Sequence, residues 1–422
     1  MRKLTLRIVP FLMVCYVVAF IDRVNAGFAA LSMNRDLGLT SAQFGLGAGV
    51  FFVGYVLCEV PSNLAMAKVG ARLWIARIMI TWGIVSAGMA FVIGPISFIA
   101  GRLLLGAAEA GFFPGVILYI SYWFPAKYRG RVVALFSVAI PLSSMIGSPI
   151  SGAILGLNGL MGLRGWQWLF ILEAAPAILL GFCCLALLPN GPAQAKWLSE
   201  PERDWLSSEI AQEARRKPAP AHLPLKDVLF NKSVLVLALA YAGTAGISQG
   251  LSLWQPQMIK SFGLTNVQVG LLNGLPFAVA SAAMLYWGSR SDRTRERVWH
   301  TVIPVAFAAI GLICTSLTGT SVALFLVTLS MTLVGTYAMK GPFWGLSTEW
   351  LSASAAAGGI AMINSLGSLA PFVGNFLIGA IRDATGSFAL AMLPLVALCV
   401  IGVVAILIVS RQPGSSAVAQ ST

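Results

Sequence analysis

The chain has 422 residues, of which 58% are hydrophobic and only 10% charged, and its formal net charge is +13. A soluble globular domain carries roughly 25% charged residues, so a water-solvated protein is excluded and lipid is the solvent that this composition suits. In a soluble protein the positive charge would raise nucleic acid as a partner; here topology accounts for it.

Apolar runs long enough to cross a hydrocarbon core of about 30 Å recur from end to end. They predict twelve transmembrane helices over residues 8–30, 42–67, 73–94, 97–123, 131–156, 166–188, 233–258, 267–288, 299–318, 321–345, 356–381 and 387–409. The first run follows Met1-Arg2-Lys3, as a signal peptide would, but it contains Asp22 and Arg23 and lacks a cleavage site. It is read as a retained helix. The 43 glycines suit close helix–helix contacts in lipid. Residues 189–232 differ in kind: prolines flank a polar stretch in which Ser199 and Glu202 have capping-box spacing, predicting a short amphipathic helix near 199–216. The expected organisation is an N-terminal six-helix bundle (1–188), a cytoplasmic linker (189–232), a C-terminal six-helix bundle (233–410) and a disordered cytoplasmic tail (411–422).

The basic residues orient this array. With the N-terminus inside, the inner segments hold 21 of the 28 Lys and Arg residues and the outer loops hold Arg35, Arg164, Lys260 and Arg382, while Arg23, Arg102 and Lys340 fall within helices. The positive-inside rule then makes both termini cytoplasmic. The six cysteines all lie in apolar runs without metal-ligand spacing, and His222 and His300 sit in or beside charged loops. Neither a cofactor motif nor a nucleophile–base constellation is present, so the chain reads as a transporter and not an enzyme.

Charge inside the membrane is costly and marks function by default. The candidates are Asp22, Arg23, Glu59, Arg102, Glu109, Glu173 and Lys340. Arg102 and Glu109, two helical turns apart, share a face at about 10 Å separation. That is too far to pair directly, but a charge from a neighbouring helix could lie between them, with Asp22 the obvious candidate. The alternative is a purely structural cluster. Arg23 offers a planar fork suited to a carboxylate. Lys340 has three readings: snorkelling, pairing with Glu349 or a carbonyl of the seventh helix, or a second cation for the substrate. Glu59, beside Pro61, is assigned to a gate. Glu173, following the interfacial Trp166-Gln167-Trp168, is assigned a structural role off the central cavity.

The halves look related, since a shift of about 225 residues superposes loops and helix starts, as in the parallel repeats of known transporters. Gly288-Ser289-Arg290-Ser291-Asp292-Arg293 resembles the cytoplasmic-loop signature of the major facilitator superfamily. Its first-half copy is degraded, with Asn63 and Ala67 where Gly and Asp are usual. Asp22-Arg23-Val24-Asn25, Pro61-Ser62-Asn63, the stretch Gly101 to Gly115, Gly341-Pro342-Phe343-Trp344 and Gly358 to Ser365 together resemble the anion:cation symporter family, in the branch of tartrate, sugar-acid, hydroxyphenylacetate and phthalate permeases. Lys340, and Asn375 where Pro is frequent, depart from that pattern. The resemblance implies that Asp22 and Glu109 carry protons under the influence of Arg102. It also implies that Arg23, Tyr55, Trp344 and Asn364 meet the substrate, with Lys340 added here on its own chemistry, and that Asp292 and Arg293 form an inside-closing contact.

The expectation is an all-α membrane protein of the major facilitator fold, a monomer of the inner membrane, taking up a small organic anion with protons. A metabolite or drug exporter is the alternative. Helix five carries Gly147-Ser148-Pro149, a partial match to the exporters' proline-glycine motif.

Overall fold

The computed structural model describes residues 1–195, 197–216, 231–351 and 353–411. Linker residues 217–230 and the tail from 412 onward, for which a cytoplasmic loop and disorder were expected, lie outside the described residues. The first half contains α1 (Arg2–Asp36), α2 (Ser41–Val69), α3 (Ala71–Gly88), α4 (Pro95–Glu109), α5 (Phe112–Trp123), α6 (Ala126–Ser137), α7 (Ala139–Ile154) and α8 (Gly165–Leu187). The linker forms α9 (Glu200–Arg216). The second half contains α10 (Lys232–Lys260), α11 (Asn266–Thr294), α12 (Val298–Thr315), α13 (Val322–Ala338), α14 (Lys340–Trp350), α15 (Ala353–Thr385) and α16 (Phe388–Ser410). Among the described residues, twelve spans are long and apolar enough to cross a membrane. They form two six-helix bundles, as the hydropathy predicts.

The differences from the predicted ends have local causes. α1 begins at Arg2, because its first turns are helical but too polar for a hydropathy window to include. The fourth span, expected as one helix, is broken: α4 ends at Glu109, Gly111 adopts φ 85°, and α5 restarts at Phe112. A break in lipid needs partners for the freed backbone, and Ser62 supplies one by donating to the Ala110 carbonyl at 2.8 Å while accepting from Trp74 Nε1 at 3.0 Å. The Pro61-Ser62-Asn63 motif therefore buttresses the break beside Glu109. A side chain at residue 111 would run into Ser62 as well as straining the left-handed backbone.

The linker helix is capped as predicted, with Ser199 N–H donating to Glu202 Oε2 at 2.9 Å and Glu202 N–H to Ser199 Oγ at 3.4 Å. Lys3 also reaches Glu202 at 2.9 Å. The Lys3 ammonium, with the Ser199 donors, pulls the exposed Glu202 carboxyl down to about 2. The pair ties α9 to the start of α1, although exposed pairs of this kind contribute little in salt.

The bundles meet along a seam formed by α1 with α10, α2 with α15, and α7 with α11. Its bridging contacts cluster at the end away from the termini. Asp383 of α15 accepts the backbone N–H groups of Ser41 and Ala42 at 2.9 and 2.7 Å, closing onto the start of α2. Asn273 Nδ2 donates to Ser148 Oγ at 2.8 Å from α11 to α7. Between the same helices Gly152 and Gly270 lie backbone to backbone, so that a Cβ on Gly152 would stand 3.0 Å from the Gly270 Cα and 2.6 Å from the Asn266 carbonyl. Small residues are what permit such an approach in lipid. At the opposite end Leu57, Val60 and Leu64 of α2 are exposed. The described contacts that bridge the seam thus seal the end away from the termini.

Backbone cannot yield to a new side chain without separating the helices, and overpacking costs about 1–3 kcal/mol. Gly152→Val is therefore expected to depopulate the sealed state. Alkylation of a cysteine placed at Ser41 should become several-fold faster in that variant; an unchanged rate would show that the α7–α11 contact does not hold the seal.

Candidate functional site

The charged residues of the N-terminal bundle converge, though not in the predicted pairing. Asp22 is 1% exposed and is held entirely by neutral donors. Trp82 Nε1 donates to Oδ2 at 3.0 Å, Asn25 Nδ2 donates to Oδ1 at 2.9 Å, and Ser86 Oγ also donates to Oδ1. Glu109 does not sandwich Asp22 with Arg102. It pairs with Arg23, whose Nε lies 2.5 Å from Glu109 Oε1. Consecutive residues on α1 point in different directions. Asp22 therefore faces α3, whereas Arg23 faces α4 and the seam.

Arg102 makes no ion pair or hydrogen bond among the described residues: its guanidinium stands 4.9 Å from the Phe51 ring, with Nε and Nη1 buried and unpartnered. The expected arrangement, with Asp22 between Arg102 and Glu109, is not the one observed: Asp22 is held by Trp82, Ser86 and Asn25, and Glu109 by Arg23. Glu109 Oε2 is likewise without a donor. The site is therefore under-satisfied, with donors and acceptors held ready in a dry interior, where each unmet group costs about 1–3 kcal/mol or more.

Arg23 is the accessible member, its side chain 14% exposed against 1% for Glu109. Three rings surround its guanidinium at 5.0 to 5.6 Å, from Phe20, Phe51 and Tyr55. Glu59 lies one turn beyond Tyr55 on α2 and makes no ion pair among the described residues. The residue assigned to a gate thus lies on the same face as Tyr55.

On the C-terminal side Lys340 opens α14 with Nζ 4.4 Å from the Tyr337 ring and no ion pair or hydrogen bond among the described residues. Glu349 is engaged instead by Arg297 at 3.6 Å, which removes one of the three readings of Lys340. Trp344 packs at 5.2 Å on both Tyr241 and Phe343. Asn364 is partly exposed on α15 without a hydrogen-bond partner among the described residues. Asn375 is tied within its own bundle: it accepts from Trp254 Nε1 at 3.1 Å and donates to the Pro371 carbonyl at 2.8 Å. Asp292 is bridged by Arg297 at 2.8 Å, whereas Arg293 is exposed without an ion pair among the described residues. Asp292, Arg297 and Glu349 thus join the ends of α11, α12 and α14 inside one bundle.

The sequence profile of the Major Facilitator Superfamily matches residues 12–375. A protein of Agrobacterium vitis named "Putative tartrate transporter" is 53% identical over 411 residues, covering 97% of this chain and 94% of its own. A "Quinolone resistance transporter" of Acinetobacter baumannii is 39% identical over 389 residues, covering 92% of this chain and 89% of its own. The crystal structure of a D-xylose-proton symporter superposes with a TM-score of 0.77 at 16% identity, over 97% of this chain and 98% of that one, which speaks to the fold. The chain belongs to the Major Facilitator Superfamily. It is a twelve-span membrane transporter, and its relatives are transporters and not enzymes.

Several residues of this facilitator's site escaped the sequence reading. Tyr241 of α10 packs on Phe343 and Trp344, and Tyr16 of α1 stacks on Phe113 and Phe136. Trp82 and Ser86 hold Asp22. None carries a charge, and an uncharged residue in an apolar run gives no hydropathy signal; a tyrosine count within the spans would have been the only hint.

Hydrogen bonds to a buried charged group contribute about 1.5–3 kcal/mol. In a double-mutant cycle, Trp82→Phe and Asp22→Ala are expected to couple by an amount in that range, read from thermal unfolding in detergent. Additive effects would show that the indole holds the helices without holding the carboxylate.

Proposed function

We propose that the protein takes up a small organic anion, such as tartrate, a sugar acid or an aromatic carboxylate, together with protons. The bundles would rock about the seam in alternating access across the inner membrane, with both termini cytoplasmic. In that orientation the sealed end described above is the periplasmic one. Support for orientation comes from the Lys and Arg distribution. Support for the substrate class comes from the relative named for tartrate.

The observation that carries the coupling is the Arg23–Glu109 pair at 2.5 Å. Arg23 is the accessible guanidinium of the site, and its Nε, one of the donors that would grip a substrate carboxylate, is held by Glu109. A proton on Glu109 removes the charge that holds Arg23 and leaves its donors in need of an anion. Proton and substrate then favour each other's binding, and by linkage the dependence is reciprocal. Arg102, with no partner of its own, keeps the cluster net positive when Glu109 is neutral, so that a proton and an anion together restore balance. Asp22, held by neutral donors next to that field, is the second proton carrier in this reading. Tyr55, Trp344 and Asn364 shape the pocket, and Lys340 supplies a second cation for a dianion. Asp292 belongs to the inner gate through Arg297, with Arg293 free to join it when the seam closes. Glu59 belongs to the inner gate as well.

Proteoliposomes with an imposed pH gradient and a panel of tartrate, sugar acids and aromatic acids test this directly. Glu109→Gln is expected to abolish gradient-driven accumulation while substrate exchange persists; uphill uptake at the normal rate would overturn the coupling. Arg23→Lys keeps the charge but loses the fork, and a rise in KM of about tenfold or more is expected, in line with a lost charge-assisted hydrogen bond of about 1.4 kcal/mol or more. Lys340→Gln should weaken dianions more than monoanions, and equal affinities would remove Lys340 from the site.

One observation favours the second reading, export of a metabolite or drug: the relative named for quinolone resistance. Substrate movement from the cytoplasmic side to the opposite side in exchange for protons, with no acid from the panel accumulated, would establish it.

A further inference from the structure

Outside the Arg23–Glu109 pair, one buried carboxyl group remains unused. Glu173, in the middle of α8, is 5% exposed, and Ser151 Oγ of α7 donates to its Oε1 at 2.6 Å. Its Oε2 has no partner. The side chain faces Asn25 of α1, itself 0% exposed, and beyond it the carboxylate of Asp22. Asn25 gives its Nδ2 to Asp22 at 2.9 Å, and its Oδ1 is also buried and without a donor. Among the described residues neither of these two acceptor oxygens has a donor. Native interiors avoid this, and no ion pair reaches Glu173 among the described residues. The titratable group facing Glu173 is Asp22; Ser151 from α7, and Trp82 and Ser86 from α3, are neutral. The Asp36–Arg164 pair belongs to the far end of α8, about 13 Å away along the axis by helical rise.

We propose that Glu173 is a further proton-binding site, which in this state carries its proton on Oε2, donates it to Asn25 Oδ1, and so turns the Asn25 amide N–H toward a charged Asp22. The balance does not depend on which way the amide is drawn. If the amide is turned over, its N–H serves Glu173 and its oxygen meets Asp22, which must then hold the proton. Either orientation places one proton between two carboxyl groups, and the rotation of one amide reports which group has it. Glu173 is then the outermost in a series that runs through Asp22 toward Glu109. Its distance from the sealed end suits a station for a proton arriving from that side.

The test is infrared spectroscopy of the purified full-length protein in lipid nanodiscs, following carboxylic-acid C=O stretches in H2O and D2O. The wild type should show a deuterium-sensitive acid band that Glu173→Gln removes, and Asn25→Leu should shift that band by deleting the acceptor of its hydroxyl. Ser151→Ala, which removes the donor to Oε1, should shift it too and serves if the Gln variant does not fold. Glu109→Gln should leave it in place. If Glu173→Gln retains every acid band, or if Asn25→Leu leaves the Glu173 band unmoved, the proposal fails. The band reads the proton on Glu173 whether or not transport is coupled to protons, so its absence and the failure of coupling at Glu109 are separate results.

Discussion

The structure depends on one constraint: charge has been taken into a membrane interior without enough partners to satisfy it. Arg23, Arg102, Asp22, Glu109 and Glu173 lie within the N-terminal bundle, and only one direct ion pair, Arg23 with Glu109, joins any of them among the described residues. A structural cluster would be expected to close its hydrogen bonds, because breaking a buried pair or leaving a member unpaired costs several kcal/mol. This one leaves two nitrogens of Arg102, Oε2 of Glu109 and Oε2 of Glu173 without partners. Unmet groups in a rigid, dry cluster are places where a proton or an anion is worth more than it would be in water.

The fold keeps that cluster from collapsing on itself. Arg102 is fixed along α4 with its guanidinium against the Phe51 ring, and the break at Ala110–Gly111, held by Ser62, ends the helix directly after Glu109. Glu109 is thereby turned toward Arg23 while α5 continues on a different course. Asp22 is withdrawn into the α3 interface by Trp82 and Ser86. Asp22 and Glu109 consequently meet different surroundings: the first has neutral donors, the second a cation exposed to the seam. That difference allows the acids to respond to different events, the first to rearrangement within the bundle and the second to whatever enters between the bundles.

How much of this was legible beforehand follows from what each signal measures. Twelve spans were readable because apolar length is a one-dimensional property, and the buried charges stood out because they are rare in such runs. Their pairing was not readable. Spacing along α4 correctly set Arg102 and Glu109 on one face, but it contains nothing about the azimuth of α1, which decides whether Asp22 or Arg23 meets Glu109. The broken fourth span was missed because Gly106, Gly111 and Gly115 all look alike in sequence, and only one has a positive φ. Asp383 follows the end of the eleventh predicted span, outside the apolar runs in which charge stands out, yet across the seam it holds the two N–H groups of Ser41 and Ala42.

The seal and the charge cluster also constrain each other. The contacts that close the seam, Asp383 on the start of α2, Asn273 on Ser148, and Gly152 on Gly270, are hydrogen bonds and backbone packing, with no ion pair among them. Such contacts can be broken and remade at modest cost, because each polar partner that is released at the membrane surface finds water. The charges further in have no such option, since water reaches them only through an opened bundle. A rocking transporter built this way puts its reversible contacts at the rim and its unmet charges in the middle. In the uptake proposed above, the free energy that decides which end opens would be set by how completely a proton and a substrate satisfy Arg23, Arg102 and Glu109, and the rim would only have to avoid opposing it.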